Sequence, residues 1–413
     1  MLPRVPLAIK HVDDYRDAAG ADAIERLREV ARPFRGARVL HLNSTSFGGG
    51  VAELLHAQLP LLRDLGIDAE WALVQGSEEY FNVTKAVHNA LQGAEIAWTE
   101  QMRDVYQQRI RHNAAQLREP YDFVFLHDPQ PAGILAALEE DGRRGGRWLW
   151  RCHIDLSEPF EPVWAFFEPL VDRFDAAIFT MEDFAQPGLT RPVLAFIPPS
   201  IDPLSNKNND MTPDMVLGIV QHHGIDIDRA LMAQVSRFDP WKDPLGVVDT
   251  YRLVRDVVPG LQLLMVGSMA GDDPEGQHYL GLTASHAGDD PDVHLLTNLD
   301  GIGDLEVNAF QRAADVVVQK SIREGFGLVV AEGMWKAKPV VSGDVGGIRL
   351  QIEDGRTGFL VDSVETCAER TTRLLRDPDL RLRIGEAARE RVRERFLTLR
   401  EIEDYLRVMA KIA

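Results

Sequence analysis

The string Ser321-Ile322-Arg323-Glu324-Gly325-Phe326-Gly327-Leu328-Val329-Val330-Ala331-Glu332-Gly333-Met334 sets two carboxylates, Glu324 and Glu332, eight positions apart. Gly325 and Gly327 relax the backbone between a short apolar run and a helical pattern that starts near Leu328. The first N–H groups of such a helix are free for an anion. A carboxylate ahead of the helix can accept hydrogen bonds from sugar hydroxyls. One a turn inside can reach a ribose diol, as acidic residues do in dinucleotide folds. Acidic residues also settle at helix N-termini for the dipole alone. The whole pattern E-G-F-G-L-x-x-x-E outweighs that plainer account.

Three further groups carry chemistry. Arg237 and Lys242 stand five residues apart in Ser236-Arg237-Phe238-Asp239-Pro240-Trp241-Lys242-Asp243, directly after an apolar run. A diphosphate calls for this pair, a planar fork for bidentate contact and a mobile ammonium beside it. Two solvated surface cations would have the same spelling. Ser46-Phe47-Gly48-Gly49-Gly50 opens a helix over 51–65, where Gly49 and Gly50 let backbone approach a phosphate. An ordinary tight turn fits it equally well. No Lys-Ser/Thr follows, so it is not a Walker loop, and it is not G-x-G-x-x-G. His153, Asp128 and Asp155 each follow an apolar run. A buried histidine satisfied by a carbonyl, and aspartates acting as turn-formers or helix caps, are the structural alternatives.

These residues need elements that hold them at one edge. Twelve short apolar runs alternate with helical patterns: 38–42, 70–74, 123–126, 148–152, 177–180 and 193–197, then 231–235, 261–266, 293–296, 315–319, 339–342 and 358–361. Most are continuously apolar, as strands buried on both faces are, so the sheets are expected to be parallel and covered by helices. The expected fold class is α/β, two doubly wound Rossmann-like domains with ligands at the carboxyl ends of their strands. The domains are expected at 1–205, 206–395 and 396–413, the last an amphipathic helix. Pro198–Asp210, PPSIDPLSNKNND, reads as linker, being rich in Pro, Asn and Asp without periodicity.

Composition narrows the class. The chain of 413 residues is long enough for two cores. Its formal net charge of −19 repels phosphate backbones and anionic lipid, so no nucleic-acid or membrane partner is expected. Cys152 and Cys367 are the only cysteines and make neither a disulfide framework nor a metal site. The first twenty residues lack a signal-peptide core, and no run has the ~20 apolar residues a membrane span needs. A cytoplasmic location is expected. The segment 102–118 is amphipathic and basic but lacks a strongly apolar face, so it reads as a surface helix. His222-His223 sits in a polar turn, and no zinc spacing or Ser-His-Asp order is legible.

The E-G-F-G-L-V-V-A-E string, the Ser236–Lys242 segment, Pro339–Gly347 (PVVSGDVGG) and Asp354–Val361 (DGRTGFLV) together resemble retaining glycosyltransferases of the glycogen-synthase-like type. His41–Glu53 (HLNSTSFGGGVAE), His127–Pro131 (HDPQP), Trp150–Asp155 (WRCHID) and Ile197–Leu204 (IPPSIDPL) resemble, within that type, the trehalose synthases that transfer glucose from a nucleotide sugar to glucose. The resemblance spans nearly the whole chain. It implies a GT-B arrangement, two domains facing across a cleft with the C-terminal helix crossing back to the first. It implies a retaining transfer without a protein nucleophile. The catalytic set would be Arg237, Lys242, Glu324 and His153. Gly49, Gly50, Arg237, Lys242, Glu324, Gly325, Phe326, Gly327, Leu328 and Glu332 would hold the donor. Asn43, Asp128, His153 and Asp155 would hold the acceptor. No tightly bound cofactor and no protein-held metal is implied. Nucleoside diphosphate glucose is the co-substrate, its base left open among UDP, ADP and GDP, and Mg2+ could assist the diphosphate. The partners are small molecules (nucleotide sugar, glucose and trehalose), with a homodimer compatible with the family. Fungal-type trehalose phosphorylases share part of this set, so a phosphorylase using glucose 1-phosphate is the rival reading. A sugar-nucleotide epimerase and a non-catalytic sugar sensor are rivals of other classes.

Overall fold

The structure is a computed structural model that describes residues 1–268 and 274–413. Strands form wherever the apolar runs lie. β1 (Arg38–Asn43), β2 (Asp68–Leu73), β3 (Phe123–His127), β4 (Arg147–Arg151), β5 (Ala176–Phe179) and β6 (Val193–Phe196) make the first sheet. β7 (Leu231–Val235), β8 (Gln262–Gly267), β9 (Val293–Thr297), β10 (Val316–Gln319), β11 (Val340–Gly343) and β12 (Phe359–Val361) make the second. Every pairing within the two sheets is parallel. The central strands are buried along their length, as continuous apolar spelling requires.

The strand orders fix where ligands can go. The first sheet runs β2-β1-β3-β4-β5-β6, and its order reverses between β1 and β3. The second runs β12-β11-β10-β7-β8-β9, the doubly wound order with its reversal between β7 and β10. Loops leaving the two strands at a reversal part to opposite faces, which opens a crevice beyond their carboxyl ends.

The chain divides into two compact units, Met1–Pro199 with Thr398–Ala413, and Ser200–Leu397. The segment expected as a linker is anchored instead. Asn208 is fully buried in the second unit and donates to Asp202 O, and its own carbonyl and side-chain oxygens accept from Trp335 Nε1 and Lys336 Nζ. Its polar residues are therefore spent on the second unit, and the units part at Pro199 rather than at 205.

The C-terminal helix Thr398–Ile412 belongs to the first unit. Its apolar face joins the core that β1 and β3 build, through Leu399, Ile402, Tyr405, Leu406 and Met409. A buried polar contact ties it down. Arg151, at the end of β4, is fully buried and donates Nε–H to Tyr405 Oη (3.0 Å) and Nη2–H to Ile197 O (2.7 Å). Tyr405 Oη in turn donates to Glu401 Oε1 (2.9 Å), which lies 3.9 Å from Arg151 Nη2.

Arg151→Met strands the Glu401 carboxylate without its cation. Urea unfolding should show a loss of ~3–5 kcal/mol. Tryptophan emission reports this unit, which holds Trp71, Trp98, Trp148, Trp150 and Trp164 of the seven tryptophans. The double variant Arg151→Met/Glu401→Leu should recover most of the loss, because replacing both charges leaves neither uncompensated.

Candidate active site

In the second unit the chemistry gathers at the β7/β10 reversal. β7 ends at Val235 and delivers Arg237 and Lys242 from one side, and β10 ends at Gln319 and delivers Lys320 and Glu324 from the other. Each cation there meets a carboxylate. Arg237 Nη2 lies 2.8 Å from Asp239 Oδ2, an ion pair without an aligned hydrogen bond at either oxygen of this buried carboxylate. Lys242 Nζ pairs with Glu324 Oε2, and Lys320 Nζ with Asp243 Oδ2. Asp243 has a left-handed backbone (φ 46°) and caps the helix Pro244–Arg255, its Oδ1 accepting the Gly246 N–H. Arg237 differs from the two lysines in exposure: its side chain is 60 % exposed against 16 % for Lys242. It is the cation that can swing onto a ligand at least cost in desolvation.

The glutamate loop is drawn tight by its neighbours. Gly347 N–H donates to Glu324 O, and Gln351 Nε2 donates to Phe326 O. A Cβ on Gly347 would sit 2.3 Å from Gly325 O, so only glycine admits this approach. Gly327, at φ 83°, starts the helix Leu328–Trp335, which no side chain caps. Val330 N–H turns back to Gly327 O, which leaves the Leu328 and Val329 N–H groups for a ligand. Glu332 is 1 % exposed, and its Oε2 has no hydrogen-bond partner among the described residues. A buried carboxylate oxygen left bare is costly, and a donor-bearing ligand removes the cost. Phe326, expected at the donor, turns its ring inward against Phe396 (centroids 5.6 Å apart), so only its backbone remains for a ligand.

In the first unit the β1/β3 reversal carries a stack of imidazoles. His41 on β1 faces Phe125 on β3 in register and stacks on it at 4.4 Å. Two residues further along β3 stands His127, whose register partner is Arg151; two beyond Arg151 stands His153. Diagonal neighbours across adjacent strands come within ring contact. His41 Nδ1 lies 3.0 Å from His127 Nε2, and His127 Nδ1 lies 2.9 Å from His153 Nε2. His41 and His127 are buried, while His153 keeps part of its surface accessible. Burial holds all three rings neutral. It lowers His41 to about 3 and, with Arg151 nearby, keeps His127 and His153 well below the usual histidine range.

Asp128 locks the outer ring. Its backbone is left-handed (φ 61°), an uncommon conformation for aspartate and a common one at functional sites. Its Oδ1 accepts the His153 N–H at 2.8 Å. Burial pushes its carboxyl up to about 6, against the opposing pull of that N–H and Arg151. Two other expected acceptor residues are occupied internally. Asn43 donates to Thr45 O and accepts from Trp71 Nε1. Asp155 Oδ1 accepts both the N–H and the hydroxyl of Ser157, a turn-former's pattern. Gly49 (φ 113°) and Gly50 open the helix Gly50–Asp64 with exposed backbone, and the loop before them is held by His56 Nε2 against Ser46 O.

Sequence reasoning missed Asp239, Asp243, Lys320, His41 and His127. The acidic partners sit one or two residues from the predicted cations, a spacing that could have flagged them. The two histidines become neighbours only through strand register. Among the described residues no helix is long and apolar enough to cross a membrane.

Residues 41–186 match the family model "Trehalose synthase, N-terminal domain", and residues 219–391 match "Glycosyl transferases group 1". A trehalose synthase from Rubrobacter xylanophilus is 49 % identical over 100 % of this chain and 99 % of its own length. A trehalose phosphorylase from Pleurotus pulmonarius is 27 % identical over 85 % of this chain, which spans 54 % of it. Among solved structures, a UDP-forming alpha,alpha-trehalose-phosphate synthase from Burkholderia xenovorans superposes with a TM-score of 0.73 at 16 % identity, covering 91 % of this chain and 99 % of that one. That likeness bears on the fold, two Rossmann-like domains.

The neutral imidazoles make stability depend on pH. Below about pH 6.5 the unfolded chain's histidines take up protons that the folded rings refuse, so stability falls as the pH falls. Asp128 works the other way between about 3.8 and 6, where the folded carboxyl is the better proton holder. From pH 6 to 5 the four groups leave a net deficit of about two protons, or ~3 kcal/mol per pH unit. In His41→Phe, urea unfolding of the first unit at pH 6 and 5 should show a drop ~1.4 kcal/mol smaller than in the wild type.

Proposed function

The chain belongs to the trehalose synthase family and is a hexosyltransferase of trehalose-related glycosyl transfer; from that premise we propose that it moves glucose from a nucleoside diphosphate glucose to glucose, with retention, making α,α-trehalose. The observation that carries the nucleotide-sugar donor is Glu332. A buried carboxylate with a bare oxygen, one turn into the helix that the Glu324 loop opens, asks for a ligand with hydroxyl donors. A ribose diol supplies them. Glucose 1-phosphate has no ribose, so on the phosphorylase reading a glucose hydroxyl would have to meet both Glu324 and Glu332.

In this reading the diphosphate lies against Arg237, Lys242 and the uncapped helix start. Before a ligand arrives, Lys242 is neutralised by Glu324 and Arg237 by Asp239. The donor competes for those cations. Glu324, released in part from Lys242, accepts from hydroxyls of the donor sugar. As the bond from the anomeric carbon to the phosphate oxygen breaks, charge grows on the leaving group, and the preorganised cations and N–H dipoles lower the barrier by meeting it. The acceptor hydroxyl attacks from the face the diphosphate leaves, and its proton passes to the departing phosphate oxygen. Asp128 and His153, held in place by β3 and β4, orient the sugar hydroxyls.

The direct test mixes purified protein with glucose and, in turn, UDP-, ADP- and GDP-glucose, with and without Mg2+, measuring nucleoside diphosphate and disaccharide together. Equal amounts of diphosphate and α,α-linked disaccharide support the reading and rank the donors. Trehalose breakdown only in the presence of phosphate, with no diphosphate from any donor, overturns it in favour of a phosphorylase. In the same assay Arg237→Ala should lower kcat roughly 10²–10³-fold, the usual cost of one preorganised donor. Unchanged turnover would remove Arg237 from the mechanism.

A further inference from the structure

We propose that His127 is a positioning residue that fixes the tautomer of His153, with His41 as its own donor, so that His153 meets the sugar with an Nδ1–H donor and never acts as a base. The proposal rests on the reading of His153 as a sugar-hydroxyl ligand. It goes beyond that reading by assigning the proton and the residue that places it.

The two ring-to-ring contacts leave little choice. Each contact needs one hydrogen, and each neutral ring carries one. Two arrangements satisfy both contacts. In the first, His41 Nδ1–H donates to His127 Nε2, His127 Nδ1–H donates to His153 Nε2, and the hydrogen of His153 lies on Nδ1. In the second, every hydrogen runs inward: His153 Nε2–H donates to His127, His127 Nε2–H donates to His41, and the hydrogen of His41 lies on Nε2. A ring cannot change its tautomer without its neighbours changing theirs.

The inner end selects between them. His41 Nε2 is buried and has no hydrogen-bond partner among the described residues, and the same holds for Gln58 Nε2. Both side chains line one cavity of about 10 Å³. The rest of its wall is apolar apart from Tyr405, whose hydroxyl is engaged by Arg151 and Glu401. Gln58 Nε2 can only donate. The inward arrangement would set a second buried N–H beside it, and orphaned buried N–H groups are the rarest kind of unpaired polar atom. The outward arrangement sets a bare acceptor there instead. The relay therefore ends at a buried bare acceptor on His41 and is read out at His153 Nδ1, the nitrogen that takes no part in it. A donor at that atom also agrees with a transfer in which the leaving phosphate oxygen takes the acceptor's proton.

The test reads the tautomer itself. Free protein is made with 15N-labelled imidazoles, and the His153 signals are identified by their loss in His153→Gln. In the wild type, Nδ1 of His153 should be protonated and Nε2 bare. In His127→Phe the acceptor contact is gone, and the ring should move to Nε2–H, the form free histidine prefers. His127→Leu removes the same contact with a smaller side chain and covers the case where the first variant fails to fold. His41→Phe keeps the stack on Phe125 and leaves His127 Nε2 a bare acceptor, so His153 should stay on Nδ1–H there. In either folded His127 variant kcat for glucosyl transfer should fall about tenfold, the loss of one hydrogen bond. Nε2–H on His153 in the wild type, or Nδ1–H retained in a folded His127 variant, overturns the proposal. Since the tautomer is read without substrate, an error in the assigned reaction would leave this result intact.

Discussion

Taking charge out of water has to be compensated locally, and that requirement organises both units. In the second unit it is met by pairing: Arg237 with Asp239, Lys242 with Glu324, Lys320 with Asp243. The three cations and three carboxylates thus leave this strand reversal locally neutral within an acidic chain. In the first unit it is met by refusing the charge, through three stacked neutral imidazoles, except at Arg151, whose charge is answered by Glu401 at the other end of the chain.

The two solutions suit two chemistries. Paired cations can exchange one anion for another without changing protonation, which is what a pocket for a leaving diphosphate has to do. A neutral imidazole with a fixed hydrogen offers direction without charge, which is what orienting an uncharged sugar requires. The strand-order reversals bring each solution to the carboxyl end of its own sheet, so the architecture positions the chemistry before any side chain is considered.

Much of this was legible in the amino-acid sequence. All twelve strands fall within two residues of the apolar runs, because parallel strands covered on both faces have to be continuously apolar. Arg237, Lys242 and Glu324, which the structure gathers at one strand reversal, and Glu332 could be singled out because their motifs are specific. What the amino-acid sequence left open shares a cause. Asn43, Asp155 and Phe326 stand in motifs, but whether such a residue faces a ligand or its own loop depends on partners far along the chain, here Trp71 and Phe396 as well as the nearby Ser157. The polar spelling of 198–210 matched a linker equally well, until Trp335 and Lys336 claimed Asn208. The His41–His127–His153 stack had no local signature, since register alone brings its members together.

The return of Thr398–Ile412 to the first unit has a consequence for biosynthesis. Arg151 and the apolar floor under β1 are made early, but the helix that covers them is made only after the 198 residues from Ser200 to Leu397. At common translation rates of about 5–20 residues per second, that is a wait of roughly 10–40 s. Throughout it the nascent first unit exposes an apolar groove and an arginine without its carboxylate, while the second unit is still being made. The first unit, although its synthesis begins first, is therefore expected to complete its fold only after the second unit has been made.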